Sequence, residues 1–287
     1  MKNAFQRVAL IGKITNPAIG EHVLALAHFL RERGIAVLVE EKTAAALSIE
    51  SYATVHIDAI GTHVDLAVVL GGDGTMLAVA RGLVEYGVPL VGVNKGRLGF
   101  LTDLTTEAIH QAMSDILDGE YTLEQRILLG ATIVRDGVAV SAGRALNDVV
   151  ISKGAMARLI ELELIIDGEF VHRQRSDGLI LATPTGTTAY ALSAGGPLLH
   201  PTLEAIALVP VCPHTLSNRP FAISSASTVE VTLVQADDAR VHFDGQLHAE
   251  LKCGDKVVVH RLQKAVTLLH PRNHSHYAML RQKLHWG

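Results

Sequence analysis

The sequence predicts an α/β N-terminal domain with a doubly wound, Rossmann-like parallel sheet, followed by a mainly β C-terminal domain. In the first half, short apolar runs alternate with segments long enough for helical crossovers, which is typical of a parallel sheet covered by helices. Beyond about Arg126, apolar and polar residues alternate between glycine-containing turns, which is typical of antiparallel strands. A glycine-rich turn also joins one apolar run to a helical pattern, at the strand end where open α/β sheets bind ligands.

Caps, apolar spacing and glycines define the elements of the first half. Asn16 is expected to cap the first helix, with Pro17 at its first position and Gly34 as its terminator. Two more helices are expected where apolar residues recur at helical spacing before a glycine, over Thr75–Gly87 and Thr106–Leu117. The short apolar runs predict strands over Arg7–Ile11, Ala36–Val39, Leu66–Leu70 and Leu90–Val93.

The second half is predicted from its alternating runs and the turns between them. Strands are expected over Leu162–Ile166, Thr228–Val234, Val241–Phe243 and Lys256–Val259. The turns between strands are predicted at Asp167-Gly168, Asp244-Gly245 and Cys253-Gly254. We therefore expect two domains, 1–125 and 126–287, with the segment from about residue 270 packing back on the first domain. The active site is expected in the cleft between them, since such clefts bind small molecules.

The composition is typical of a metabolic enzyme. The chain has 287 residues, is 48% hydrophobic and carries a formal net charge of -4, so no basic surface for nucleic acid is expected. Cys212 and Cys253 do not form a CxxC pair, which favours a reducing, cytoplasmic compartment over a disulfide framework. The apolar stretch Val8–Ile11 is too short for a signal peptide, and no run of about 18 apolar residues predicts a membrane span.

The most informative motif is the turn Gly71-Gly72-Asp73-Gly74-Thr75. Its glycines leave backbone N–H groups uncovered, and the N-terminus of the following helix adds partial positive charge, which favours phosphate. Asp73 is repelled by phosphates unless it holds a metal or takes a proton from an attacking hydroxyl. The turn therefore predicts a phosphate site that includes an acid-base group.

Four other interpretations of this turn make different demands on the sequence. A β-hairpin would continue into an alternating strand, whereas the residues after the turn have helical spacing. A dinucleotide fingerprint would need a third glycine three residues after Gly74, and a P-loop would need Gly-Lys-Ser/Thr after four spacer residues. Neither pattern occurs in the chain. A purely structural strand-to-helix turn remains open from the local sequence alone.

Several blocks together resemble the NAD kinase family, in its bacterial form. The glycine-rich turn is similar to one shared by 6-phosphofructokinases, diacylglycerol and sphingosine kinases, and NAD kinases. The blocks that resemble the NAD kinase version are Pro89-Leu90-Val91-Gly92-Val93-Asn94-Lys95-Gly96-Arg97-Leu98-Gly99-Phe100-Leu101-Thr102, Leu146-Asn147-Asp148-Val149-Val150, the segment from Ser176 to Tyr190, and Ser193-Ala194-Gly195-Gly196-Pro197. Asp148 stands where many members carry Glu and Thr187 where many carry Ser, and both keep the functional group.

This resemblance implies transfer of the γ-phosphoryl group of ATP to the 2′-hydroxyl of the adenosine ribose of NAD. Asp73 would be the general base, which need only accept a late proton in a loose transition state, and Gly71, Gly72 and Gly74 would bind phosphates. Mg²⁺ or Mn²⁺ is expected on the ATP phosphates, and relatives are commonly homodimers or homotetramers. The dinucleotide contacts implied by the resemblance are Asn147, Asp148, Arg158, Arg175, Asp177, Thr188, Ala189, Tyr190, Ala191, Leu192, Ser193 and Gln246.

Without the resemblance, simpler interpretations of these residues stay open. Asn147 and Asp148 would suit an Asx turn, Tyr190 would suit the core, and the Asp-Gly before Gln246 indicates a hairpin. Solvated surface positions would equally suit Arg158, Arg175 and Asp177. Two rival functions also remain: a lipid or sugar kinase, which would need another acceptor pocket, and a non-catalytic NADP(H) sensor, which would not need Asp73.

Fifteen histidines raise the question of a protein-held metal. None forms His-Glu-x-x-His or a Cys/His ligand set, so no structural zinc is expected. The densest group is His270, His274 and His276 near the C-terminus. Its spacing favours a solvated or subunit-contact role over a metal site.

Overall fold

The computed structural model describes residues 4–13, 19–96, 99–155, 158–215, 217–272 and 274–286. The chain divides into two compact units, the first formed by Met1–Gln125 with Val266–Gly287 and the second by Arg126–Ala265. The sequence prediction placed the boundary between residues 125 and 126 and expected the segment from about residue 270 to pack back on the first domain. Residues 266–287 belong to the first unit because the strand Val266–Pro271 lies in its parallel sheet.

In the part of the chain that is described, the first unit contains an eight-stranded sheet. With numbering along the chain, its strands are β1 (Arg7–Gly12), β2 (Ala36–Glu40), β3 (Ala53–Val55), β4 (Leu66–Leu70), β5 (Leu90–Asn94), β6 (Leu104–Thr105), β7 (Tyr121–Arg126) and β20 (Val266–Pro271). Their order is β3-β2-β1-β4-β5-β20-β7, with β6 beside β5. The pairs from β3 to β20 are parallel, which confirms the predicted Rossmann-like class.

Helices of the first unit are α1 (Gly20–Glu32), α2 (Glu41–Leu47), α3 (Ile57–His63), α4 (Asp73–Leu83), α5 (Ile109–Leu117) and α7 (His276–Leu284), with a 3-10 turn at Val84–Tyr86. The predicted cap Asn16 and first position Pro17 lie outside the described residues. Helix α4 begins at Asp73 rather than at Thr75, and Gly87 ends this segment with a left-handed φ of 68°. None of the described helices is long and apolar enough to cross a bilayer.

The second unit contains two six-stranded sheets within the described residues. Its strands are β8 (Leu129–Arg135), β9 (Val138–Ala145), β10 (Asp148–Lys153), β11 (Ile160–Ile166), β12 (Glu169–Ser176), β13 (Gly178–Ala182), β14 (Ala205–Val211), β15 (Phe221–Ser224), β16 (Val229–Gln235), β17 (Ala239–Phe243), β18 (Leu247–Leu251) and β19 (Lys256–Arg261). The strand orders are β15-β14-β13-β10-β17-β18 and β12-β11-β16-β19-β8-β9. A 3-10 turn at Thr185–Thr188 and the short helix α6 (Tyr190–Ser193) follow β13.

Strand β10 shows how the second unit separates its core from a possible ligand surface. Val149 and Ile151 are buried in the apolar cluster that both sheets share. Because side chains alternate along a strand, Asp148, Val150 and Ser152 lie on the opposite face. That face carries the polar groups that a binding site requires.

Candidate active site

The glycine-rich turn of the first unit joins the fully buried strand β4 to helix α4. The Gly71 N–H donates to Val93 O at 2.8 Å, and a Cβ on Gly71 would lie 2.6 Å from Thr75 Oγ1. Gly72 is the N-cap of α4, and a Cβ there would meet nothing within 4 Å. Gly71 is thus required for close packing, whereas Gly72 borders open space. Gly74 lies inside the first turn of α4, so the loop itself has two glycines.

The Asp73 carboxylate is held by three donors from the segment that follows β5. The Phe100 N–H donates to Asp73 Oδ2 at 2.8 Å, and the Leu101 N–H donates to Oδ1 at 3.1 Å. The Thr102 hydroxyl donates to Oδ1 at 3.1 Å. A carboxylate offers about four lone-pair positions, and Oδ2 accepts one of these three bonds. The side chain is therefore oriented with acceptor capacity left on Oδ2.

Gly99 allows this segment to approach Asp73. A Cβ on Gly99 would lie 1.9 Å from Asp73 Oδ1, inside any allowed contact. The Gly99 N–H also donates to Thr102 O at 2.8 Å, which closes a tight turn. Only glycine at this position is compatible with the hydrogen bonds to Asp73.

A separate cavity of about 400 Å³ lies in the second unit. It is lined by Asn147, Asp148, Val150, Ser152, Ala189, Tyr190, His242, Asp244 and Gly245. Four of these were predicted from the sequence as dinucleotide contacts: Asn147, Asp148, Ala189 and Tyr190. The others lie on the outward face of β10 and on β17 and the turn that follows it. The two strands meet at the cavity because Val150 pairs with His242 in the sheet register. The cavity thus combines apolar walls with convergent polar groups, as small-molecule sites do.

The surroundings of Asp148 shift the pKa of its carboxyl group. It is 4% exposed. Burial, with a smaller contribution from the charge of Asp244, raises the pKa of Asp148 to about 7. The pKa of His242 is lowered, first by burial and then by His248 and Arg240. Perturbed pKa values are common at functional sites, so they make this cavity the candidate site.

Asp244 fixes the backbone at the start of β10. Its Oδ1 accepts the Asn147 N–H at 2.7 Å and the Asp148 N–H at 3.2 Å, and its Oδ2 accepts the Leu146 N–H at 3.1 Å. Asp244 has a left-handed φ of 52° and forms the predicted turn with Gly245. The sequence signal Asp-Gly indicated only this hairpin, so the role of Asp244 was missed.

The threonine-rich turn packs directly against Asn147. The Thr183 N–H donates to Asn147 O at 2.8 Å, and the Thr183 hydroxyl donates to Leu146 O at 2.5 Å. A Cβ on Gly186 would lie 2.1 Å from Asn147 O, so glycine is needed there. The buried Thr187 hydroxyl donates to Pro184 O at 2.6 Å and accepts the Leu199 N–H at 3.0 Å. In the described contacts, the Thr187 hydroxyl therefore stabilises the backbone of this turn.

Tyr190 does not fill the core, so the simpler of its two interpretations is wrong. It is 46% exposed and lines the cavity. Burial, followed by Cys212, Asp177 and Asp148, raises the pKa of its hydroxyl, so the phenol is neutral at physiological pH. An aromatic ring at a cavity wall can stack on a planar ligand.

The remaining predicted contacts do not line this cavity. Arg158, Arg175, Ser193 and Gln246 are exposed, and Asp177 lies 2.7 Å from Lys153 Nζ in an ion pair. The Thr188 hydroxyl donates to Thr185 O at 3.0 Å. Ala191 is buried in a small apolar cluster, and Leu192 is half-buried.

His270 and His274 do not have the solvated role that was one of the two roles predicted for the C-terminal histidines. His270 is 2% exposed because it lies on β20 inside the parallel sheet. It contacts Asp103 and Glu124, and His274 contacts the same Asp103. The Asp103, His270 and His274 ligand atoms lie within 4.8 Å of one another. Histidine spacing alone could not reveal this, because Asp103 and Glu124 come from distant parts of the chain.

Comparisons with known proteins identify what this chain resembles. The models of the ATP-NAD kinase N-terminal and C-terminal domains match residues 8–121 and 146–270. A curated NAD kinase of Thiobacillus denitrificans is 55% identical over 100% of this chain and 99% of its own length. One of Aromatoleum aromaticum is 53% identical over 100% and 96%.

Two solved structures have a similar fold. A yeast NADH kinase complexed with NADH aligns with a TM-score of 0.90 at 26% identity, over 99% of this chain and 88% of the yeast chain. An NAD kinase from Archaeoglobus fulgidus in complex with ATP aligns with a TM-score of 0.77 at 26% identity, over 98% and 99%. Both neighbours are kinases of nicotinamide dinucleotides.

Proposed function

The chain belongs to the ATP-NAD kinase family, and from this premise we propose how its residues divide the reaction. The enzyme is an ATP-dependent NAD kinase. It transfers the γ-phosphoryl group of ATP to the 2′-hydroxyl of the adenosine ribose of NAD, giving NADP and ADP. The roles proposed below concern Asp73 in the first unit and the cavity of the second.

Asp73 is the proposed general base. The observation that carries this proposal is its carboxylate, oriented by Phe100, Leu101 and Thr102 with acceptor capacity on Oδ2. The transition state of phosphoryl transfer is loose, so rate depends on alignment and on neutralising charge, and the hydroxyl proton leaves late. A carboxylate fixed at one angle meets this requirement. The N-terminus of α4 and the Gly71-Gly72 turn suit the ATP phosphates.

The cavity of the second unit is the proposed site of the dinucleotide. Asn147 supplies an amide that both donates and accepts, and an ionised Asp148 accepts from ribose hydroxyls. Tyr190 supplies a flat wall for a ring. We propose that Arg158, Arg175, Asp177, Thr188, Ala189, Ala191, Leu192, Ser193 and Gln246 contact more distant parts of the ligand, as the family resemblance implies.

A divalent cation, Mg²⁺ or Mn²⁺, fits this chain as part of the ATP complex. The turn at residues 71–75 offers one carboxylate, and its oxygens already accept three hydrogen bonds. A protein-held Mg²⁺ needs several oxygen ligands in octahedral geometry. Such an ion, brought by ATP, would supply the positive charge that neutralises the phosphates during transfer. We further propose a cytoplasmic homodimer or homotetramer, without a nucleic-acid or membrane partner, and size-exclusion chromatography with light scattering tests the oligomer.

The direct test incubates the protein with ATP, Mg²⁺ and NAD and identifies the product by mass spectrometry. An NAD analogue lacking only the 2′-oxygen of the adenosine ribose should bind but accept no phosphate, because transfer goes to the hydroxyl held in line with the γ-phosphate. An analogue lacking the nicotinamide ribose 2′-hydroxyl should still be phosphorylated. Phosphorylation of the first analogue would refute the proposed site. Parallel assays with NADH and with polyphosphate define the acceptor and donor preference.

A further inference from the structure

A buried charged cluster lies in the first unit beside the segment that holds Asp73. Asp103 Oδ2 is 2.7 Å from His270 Nδ1 and 2.8 Å from His274 Nδ1. His270 Nε2 is 3.0 Å from Glu124 Oε2 on β7, and the two imidazole rings stack with centroids 4.0 Å apart. The side chains of Asp103 and His270 are 6% and 2% exposed. These ions are far less screened by solvent than surface pairs.

The geometry is that of an ion-pair network. Both N–O separations to Asp103 are hydrogen-bond distances, whereas ligands of a tetrahedral zinc are about 3.3 Å apart, given bonds of about 2.0 Å. Burial lowers the pKa of His270, but Asp103 and Glu124 outweigh it and raise that pKa to about 9. Burial raises the pKa of Asp103, and His270 and His274 outweigh it and lower that pKa to about 2. A protonated imidazole does not coordinate a metal.

Asp103 is joined directly to the groups that orient Asp73. The segment forms a turn that is closed by the hydrogen bond from the Gly99 N–H to Thr102 O. The backbone amides of Phe100 and Leu101 and the Thr102 hydroxyl donate to the Asp73 carboxylate. Leu104 then enters β6, which pairs with β5. Asp103 is therefore the side-chain anchor between the turn and the sheet. Removing that anchor frees the donors of Asp73 to shift.

We propose that Asp103, His270 and His274 are positioning residues for phosphoryl transfer: by holding Asp103, the two histidines fix the 99–102 segment and so the orientation of the Asp73 carboxylate. The inference rests on the proposed role of Asp73. The C-terminal strand β20 and the loop before α7 thus act on the reaction without touching substrate. A displacement of about 1 Å in such a group lowers rates by up to about 100-fold.

His274→Ala is the test variant, because His274 is more exposed than His270, at 16% against 2%. We expect kcat to fall about 10- to 100-fold, with KM for ATP and NAD within about twofold of wild type. His274→Asn, which returns a donor near the position of Nδ1, should recover much of the loss. His28→Ala is the matched control, since His28 is 60% exposed and pairs only with Glu32 among its described ionic partners.

The same substitution in an Asp73→Asn background separates positioning from general damage. If the histidine acts through Asp73, His274→Ala should change the residual rate by less than about twofold. An equal fractional loss in both backgrounds, or an unchanged kcat in the single variant, would overturn the proposal. One equivalent of zinc retained by the purified protein and lost in His274→Ala would also overturn it.

A structural measurement keeps this inference separate from the proposed base. Hydrogen exchange should be faster at the Phe100 and Leu101 amides in His274→Ala and unchanged in His28→Ala, because loss of an anchor increases local opening. If exchange rises while Asp73→Asn retains full turnover, the base assignment fails and the anchoring stands. If exchange at these amides is unchanged, the anchoring itself is refuted.

Discussion

Asp148 and Asp244 bind each other's backbone although 96 residues separate them. The Asp148 N–H donates to Asp244 Oδ1 at 3.2 Å, and the Asp244 N–H donates to Asp148 O at 2.9 Å. The carboxylate of Asp244 is satisfied by three amides. Its charge is therefore fixed beside Asp148, whose own carboxyl faces the cavity. Burial, with a smaller contribution from this charge, raises the pKa of Asp148.

NAD affinity should depend on pH through Asp148. If ribose hydroxyls donate to this carboxyl, binding requires the ionised form, and a pKa of about 7 leaves that form scarce below neutrality. The Kd for NAD should fall about tenfold between pH 6 and pH 8, measured by calorimetry. Asp148→Asn should remove this dependence. His242 also lines the cavity, so the difference between the two profiles isolates Asp148, and an unchanged slope in the variant would refute the assignment.

The free energy of unfolding should also depend on pH through Asp148, and it should decrease as pH rises. Burial, with a smaller contribution from Asp244, raises the folded pKa of Asp148 to about 7 from its usual value of 3.8, so the folded state binds the proton more tightly than the unfolded chain. The resulting stabilisation is complete below pH 3.8 and is lost as pH rises through 7. Relative to Asp148→Asn, wild type should lose on the order of 4 kcal/mol across this range. Urea unfolding at pH 5 and pH 8 should show about 3 kcal/mol of this loss, and parallel profiles for wild type and variant would contradict the pKa shift.

The local sequence predicted the parts of the site that local chemistry determines. The Gly71-Gly72-Asp73 turn follows from an apolar strand, two glycines and a helical pattern, and the structure has strand, turn and helix there. Asn147 and Asp148 were proposed as dinucleotide contacts because the segment Leu146-Asn147-Asp148-Val149-Val150 resembles the NAD kinase version, and both line the cavity. These signals are contained within a few residues of the chain.

What the sequence did not predict depends on distant pairs. His242 reaches the cavity because the register sets it opposite Val150, and Asp244 acts on amides 96 to 98 residues away. The segment from about residue 270 was expected to pack back on the first domain, but neither strand β20 nor its pairing with β5 was predicted. Hydrophobic period fixes which face a residue occupies, but it carries no information on the partner strand.

Asn147→Ala should weaken NAD binding as well as turnover. The amide lies in the cavity while its backbone is fixed by Asp244 and Thr183, so truncation removes the side chain without moving the strand. Unpaired ribose hydroxyls in a desolvated site cost about 1 to 3 kcal/mol, which corresponds to roughly a 5- to 150-fold rise in Kd. Calorimetry with NAD measures it. Equal affinities for variant and wild type would remove Asn147 from the binding site.

Gly186→Ala should damage the site through the backbone of Asn147. The added Cβ would lie 2.1 Å from Asn147 O, so the turn must shift, at a cost of about 1 to 3 kcal/mol in unfolding free energy and with weaker NAD binding. Gly82→Ala is the control, because a Cβ at that exposed position of α4 meets nothing within 4 Å. It should stabilise the protein by about 0.4 to 1 kcal/mol. Thermal unfolding of both variants measures these changes in stability. A Gly186→Ala variant as stable as wild type would contradict the close packing against Asn147.

Asp73→Asn should lower turnover by orders of magnitude while NAD affinity stays within a few-fold of wild type. The amide keeps the shape of the side chain, but it cannot accept the hydroxyl proton, and its NH₂ group conflicts with at least one of the three donors that now point at the carboxylate. Asp58→Asn is the control, since Asp58 is 85% exposed and contacts His56 on the surface of the same unit. Its kinetics should match wild type. Steady-state kcat and KM separate the two effects, because loss of a group needed only in the transition state lowers kcat and kcat/KM together. Near-normal turnover of Asp73→Asn would exclude it from the mechanism and leave the glycine turn as a phosphate site alone.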